Sequence, residues 1–135
     1  MSAKVVLLID GEANMQEVVQ ACLKDLAGWK VISVASAREG IDKALAEQPD
    51  AIVLDIFASQ VDGFVFLKAL RANCTIQQIP VVLLIERIHC LSSQKIQQFK
   101  VAGIIAKPFN PVTLPHKITT ILGWDTESSP LSGLP

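Results

Sequence analysis

Three charged residues stand at the ends of three apolar runs. Asp10 closes Val5-Val6-Leu7-Leu8-Ile9, Asp55 closes Ala51-Ile52-Val53-Leu54, and Lys107 closes Gly103-Ile104-Ile105-Ala106. A carboxylate at the mouth of a buried strand is costly to desolvate unless something uses it. If the strands are parallel neighbours, Asp10, Asp55 and Lys107 meet at the carboxyl edge of one sheet, where open α/β folds place their ligands. Two acids and an ammonium converging there would make a small pocket for handling an anion.

The elements that must position them alternate five times. The strands are expected at Lys4–Ile9, Lys30–Val34, Ala51–Asp55, Val81–Ile85 and Gly103–Ala106, with Pro80 opening the fourth, where a first-position proline is tolerated. Between the first two, Met15, Val18, Val19, Cys22, Leu23 and Leu26 recur at helical spacing, with Glu12 or Asn14 as a start and Gly28 as a stop. Ser36 with Glu39 three residues on is a capping-box pattern for a second helix that buries Ile41, Ala44 and Leu45. Asp62-Gly63 turns into a third helix carrying Phe64, Leu67 and Leu70, with Asp62 as its cap. Ile88, Leu91, Ile96 and Phe99 make a fourth stripe, and Leu114, Ile118, Ile121 and Leu122 a last one. Pro115 is awkward in that last helix if Asn110 caps it, because the ring lacks an N–H for the bond back to Pro111. A start near Thr113 puts Pro115 in the first turn, where proline is harmless.

Five βα units imply a doubly wound, five-stranded parallel sheet with helices on both faces, and the common strand order at this size is 2-1-3-4-5. That order makes strands one and three neighbours across the switch point, so Asp10 and Asp55 face each other. The chain has 135 residues, half of them apolar, 5% aromatic and without Tyr, which suits a single domain with an aliphatic core. Residues 1–122 are expected to form that domain and the Gly-, Ser- and Pro-rich 123–135 a flexible tail or linker. A net charge of -1 argues against a nucleic-acid surface. The apolar runs are too short to span a bilayer, and no signal peptide is expected. Cys22, Cys74 and Cys90 are odd in number and widely spaced, as reduced cytoplasmic thiols would be.

The chain resembles the receiver domain of two-component response regulators, over residues 4 to 122. The resemblance rests on Leu7-Leu8-Ile9-Asp10, Pro49-Asp50-Ala51-Ile52-Val53-Leu54-Asp55, Asp62-Gly63, Pro80-Val81-Val82 and Lys107-Pro108-Phe109, and on the separations among Asp10, Asp55 and Lys107. It implies a flavodoxin-like fold and a phosphorelay role. Asp55 would accept a phosphoryl group from a histidine kinase or phosphotransfer protein. Asp10, Asp55 and the backbone carbonyl of Phe57 would bind Mg²⁺, and Lys107 would contact the phosphoryl oxygens. The output would be a protein contact or an effector domain not contained in this sequence. Such a domain is a phosphoacceptor rather than an enzyme, with at most weak self-catalysed phosphotransfer.

The departures from the family pattern are specific. Gly11 stands where a second acid usually binds the metal, which weakens Mg²⁺ binding, and Glu12 replaces it only if the loop rearranges. Ile85 stands where the family has Ser or Thr, whose hydroxyl bonds the phosphoryl group. A charge-assisted hydrogen bond contributes about 1.5–3 kcal/mol, against the roughly 5.5 kcal/mol that fully reverses a two-state equilibrium. Ile104 replaces the usual aromatic ring that turns inward on activation, and Glu86 replaces a small residue that gives the phosphoryl group access. Ala58 and Ser59 are milder changes after the acceptor.

Other readings fit less well. A pseudo-receiver, binding partners without phosphorylation, is the main alternative and is favoured by the four departures Gly11, Ile85, Ile104 and Glu86. A haloacid-dehalogenase-like phosphatase wants a second Asp two residues after the nucleophile, where Phe57 stands, and a nucleophile after strand one. Flavin, dinucleotide and P-loop sites need phosphate loops that are absent here. His89 and His116 are isolated, and Trp29 and Trp124 read as packing anchors.

Overall fold

The computed structural model describes residues 4–10, 13–55, 60–86, 97, 100–107 and 109–124. For 13–15, 60–64, 86 and 107 it describes the backbone alone. The elements run β1 (Val5–Ile9), α1 (Ala13–Ala27), β2 (Lys30–Val34), α2 (Ala37–Glu47), β3 (Ala51–Asp55), α3 (Gln60–Ala72), β4 (Val81–Glu86) and β5 (Gly103–Lys107), then a 3-10 turn (Pro111–Thr113) and α4 (Leu114–Leu122). The expected helix between β4 and β5 lies outside the described residues.

The sheet has five strands in the order β2-β1-β3-β4-β5, and every pairing is parallel. Strand alternation sorts the aliphatic runs into two cores. Leu7, Ile9, Ile52, Leu54, Val81, Leu83 and Ile85 pack with Ala44 of α2 and with Phe66, Leu67 and Leu70 of α3. Val6, Leu8, Val53, Val82, Leu84 and Ile105 pack with Val19 and Leu23 of α1 and with Leu114 and Ile118 of α4. Burial on both faces is why these strands read as continuous apolar runs. Asp50 fastens the start of β1 to β3: its amide donates to the Val5 carbonyl at 2.7 Å, and the Val5 amide donates to its Oδ2 at 2.7 Å.

Several local expectations are met. Ser36 caps α2, its hydroxyl accepting from the Glu39 amide at 3.2 Å, and Glu39 Oε1 accepts in return from the Ala35 amide. The α4 helix begins at Leu114, with Pro115 in its first turn, and Asn110 caps the preceding 3-10 turn by accepting from the Val112 amide. Trp29 and Trp124 meet edge to face at 5.2 Å between ring centroids, with the Lys4 ammonium 5.0 Å from the Trp124 ring centroid. They pack against the α1/α4 core as anchors.

Other boundaries differ. β1 starts at Val5 rather than Lys4, while β4 and β5 each run one residue further, to Glu86 and Lys107. The last two are each other's partners in the ladder, so backbone pairing continues where the apolar pattern stops. α3 begins at Gln60, which places Asp62 inside its first turn and not at a cap. An acid there is still favoured by the helix dipole. α1 begins at Ala13, so Asn14 lies within the helix, and Glu12 is outside the described residues. Leu45 is exposed rather than buried.

Arg71 braces the opposite edge of the sheet. Its guanidinium donates to the carbonyls of Gln77 (2.7 Å), Ile79 (3.2 Å) and Lys100 (3.0 Å), tying the segment before β4 to the turn before β5. Burial lowers its pKa from the usual guanidinium value.

Gly40 is a packing requirement of α2. A Cβ there would lie 2.6 Å from Ile9 Cδ1 and 3.0 Å from Phe66 Cε1. Overpacking costs about 1–3 kcal/mol, and the better helix propensity of alanine returns only about 1 kcal/mol. Gly40→Ala is therefore expected to lower the urea midpoint. An unchanged midpoint would mean that α2 can back away from Ile9 at no cost.

Candidate functional site

Asp10 is the first residue after β1. Its amide donates to the Val34 carbonyl at 3.1 Å, which continues the β1–β2 ladder one step past the strand end. The residue is 2% exposed and is the one charged residue in the buried set among the described residues. Asp55 ends β3, half-buried, opposite Leu84 of β4. The β1–β3 register pairs Ile9 with Leu54, so the following step sets Asp10 beside Asp55. Neighbouring strands lie about 4.8 Å apart, which puts the two acids within reach of one small ion.

Lys107 ends β5, paired with Glu86. β4 lies between β3 and β5, so the backbones of Asp55 and Lys107 are separated by two strand spacings, roughly 10 Å. The three strand ends thus share the carboxyl edge of one sheet, next to the switch point between β1 and β3. Gly11, Glu12 and Phe57 lie outside the described residues, as do the side chains of Glu86 and Lys107.

Ile85 and Ile104, expected from sequence to depart from the family pattern, are part of the core. Ile85 is 8% exposed and belongs to the α2/α3 cluster, and Ile104 packs against the same cluster. Both side chains are committed to apolar packing on one face of the sheet.

Sequence reasoning missed Gln16. Its Nε2 donates to the Val34 carbonyl at 2.9 Å and to the Asp10 carbonyl at 3.3 Å, gripping the ends of β1 and β2 together. One turn on, Gln20 Oε1 accepts from Ser33 Oγ at 3.0 Å. No motif marks Gln16; it lies at a polar position of an amphipathic helix, and only the strand register reveals what it touches.

The donor chemistry at Asp10 and Asp55 suits a hard cation such as Mg²⁺, which takes oxygen ligands and keeps several waters. Among the described residues no group of three or more His, Cys, Asp or Glu is placed to hold a metal ion. His116 is exposed, Cys22 is partly buried and Cys74 is exposed, both cysteines being free; His89 and Cys90 lie outside the described residues.

Comparison with known proteins agrees with this geometry. The family described as "Response regulator receiver domain" matches residues 6–119. The response regulator Rre1 of a Synechocystis species is 34% identical over 91% of this chain and 53% of its own length. The chain thus spans about half of that relative. Among solved structures, the chemotaxis response regulator CheY4 of Vibrio cholerae superposes with a TM-score of 0.79 at 28% identity, covering 89% of this chain and 99% of that one. The receiver domain of the sensor histidine kinase PA1611 of Pseudomonas aeruginosa, solved with magnesium in its active-site cleft, gives 0.75 at 24% identity over 90% and 99%. This chain belongs to the receiver-domain family of two-component response regulators.

Proposed function

We propose that this receiver takes a phosphoryl group on Asp55 from a histidine kinase or phosphotransfer protein and signals through protein–protein contacts. The observation that carries the reading is the placement of Asp10 and Asp55 on adjacent strand ends, with Lys107 ending a strand of the same edge. A carboxylate oxygen of Asp55 would attack the phosphorus of a phosphohistidine. The P–N bond breaks, imidazole leaves, and Asp55 becomes an acyl phosphate. Positioning and charge neutralisation do most of the work in such a transfer. Lys107 would pair with the Asp55 carboxylate before transfer and with the phosphoryl oxygens afterwards.

Asp10, Asp55 and the Phe57 carbonyl would hold Mg²⁺, whose chemistry there is to neutralise the phosphoryl oxygens. Gly11 withholds the family's second acid, so binding is weakened unless Glu12 reaches in. Glu86, where the family has a small residue, would disfavour an incoming phosphate through its charge. Ile85 cannot donate to a phosphoryl oxygen, and Ile104 has no ring to turn inward. The family's hydroxyl-and-ring switch is therefore absent, and the output depends on whatever the acyl phosphate itself changes at the edge. We take residues 1–122 as the receiver and 123–135 as a tail or linker. The output passes to a partner protein or an effector domain, with no nucleic-acid or membrane contact by this domain. Among the described residues no helix is long and apolar enough to cross a membrane. A cytoplasmic site of action fits the phosphodonors of this family.

The test is intact-mass measurement after incubation with a small acyl-phosphate donor and Mg²⁺. A gain of one phosphoryl group is expected, and none when the metal is chelated before the donor is added. No gain at any Mg²⁺ concentration would point to a binding module that works without phosphorylation.

A further inference from the structure

We infer that Gln16 is a positioning residue for the metal side of the site, a role that rests on Asp10 being a metal-site acid. The carbonyls of Asp10 and Val34 lie at the carboxyl ends of neighbouring strands, where the ladder runs out beneath α1. Buried carbonyls need partners. The Gln16 amide supplies both from one nitrogen, at 2.9 Å to Val34 and 3.3 Å to Asp10, while the Val34 carbonyl also accepts from the Asp10 amide at 3.1 Å. Four groups from β1, β2 and α1 are locked into one small network.

The Asp10 carbonyl belongs to the peptide unit that leads into Gly11. Glycine is the residue least able to hold a peptide plane by its own backbone preferences. A grip on the Asp10 carbonyl holds that plane from outside, and so fixes where the buried Asp10 carboxylate points. Groups that orient metal ligands in this way are a large part of a metal site's affinity.

The neighbouring turn of α1 provides a control. Gln20 and Ser33 make a comparable bond between the same helix and the same strand, without touching Asp10. If Gln16 acts only by fastening α1 to β2, losing either bond should have the same effect. If it positions Asp10, only Gln16 should matter to the metal.

The experiment is a titration of the full chain with Mg²⁺ alone, followed by the amide signals of Asp10 and Asp55, in wild type, Gln16→Leu and Ser33→Ala, with urea midpoints alongside. Gln16→Leu is expected to weaken Mg²⁺ about tenfold, the low end of the range for ligand-orienting groups. Ser33→Ala should leave the affinity at the wild-type value while lowering the midpoint. Unchanged affinity in Gln16→Leu, equal weakening in both variants, or no Mg²⁺ response in the wild type would each overturn the inference. A wild type that binds Mg²⁺ in a Gln16-dependent way but takes no phosphoryl group would sink the phosphoacceptor reading and leave this one standing.

Discussion

Asp55→Asn is expected to abolish phosphoryl uptake while leaving the fold in place. The amide has nearly the shape of the carboxylate, and Asp55 is half-buried at the end of β3, so the packing of Leu54 and Val53 behind it is undisturbed. An exchange of that kind costs little stability, within about 1 kcal/mol. The chemistry should be lost altogether, because a carboxamide oxygen is not a useful nucleophile towards phosphorus. Intact mass with a small acyl-phosphate donor reads the first effect and a thermal or urea transition reads the second. Persistent uptake in Asp55→Asn would mean that another acid at the same edge, Asp10 first among them, is the acceptor.

The second large effect is a gain. Gly11→Asp should tighten Mg²⁺ binding by about tenfold or more, since affinity for hard cations follows the number and charge of oxygen ligands. On the proposed reading Asp10 and Asp55 supply the carboxylates, at the ends of adjacent strands, and an acid at position 11 would add a third. Mg²⁺ titration of wild type and variant side by side reads the expected difference. Equal affinity would show that Glu12 or another oxygen already fills the vacant place.

Much of the fold was legible because its strands are buried on both faces. Val5–Ile9, Ala51–Leu54 and Val81–Ile85 are continuous aliphatic runs, and the crossover rules left one common strand order, which the sheet adopts. The start of the last helix was legible too, because Pro115 excludes the alternative. What periodicity could not give was the ends. β4 and β5 continue through Glu86 and Lys107 because backbone hydrogen bonding, not side-chain polarity, decides where a ladder stops. Asp62 looked like a cap, but the helix had already begun at Gln60.

The site was legible in part for a different reason. Charged residues ending apolar runs stand out, so Asp10, Asp55 and Lys107 were visible, and the structure places their strand ends on one edge. The departures Ile85 and Ile104 were visible only against the family pattern; that both join one core cluster is a tertiary fact. Gln16 left no trace, because a glutamine on the polar side of a helix is ordinary until the carbonyls above it are known.

The central claim is that Asp55 itself carries the phosphoryl group. The direct measurement is borohydride trapping of the phosphorylated chain, which reduces an acyl phosphate to an alcohol, followed by peptide mapping. The account predicts that the reduced residue is at position 55 and nowhere else, and that chelating Mg²⁺ before the donor is added removes it. Trapping at Asp10 or any other acid, with position 55 recovered as unmodified aspartate, would contradict it.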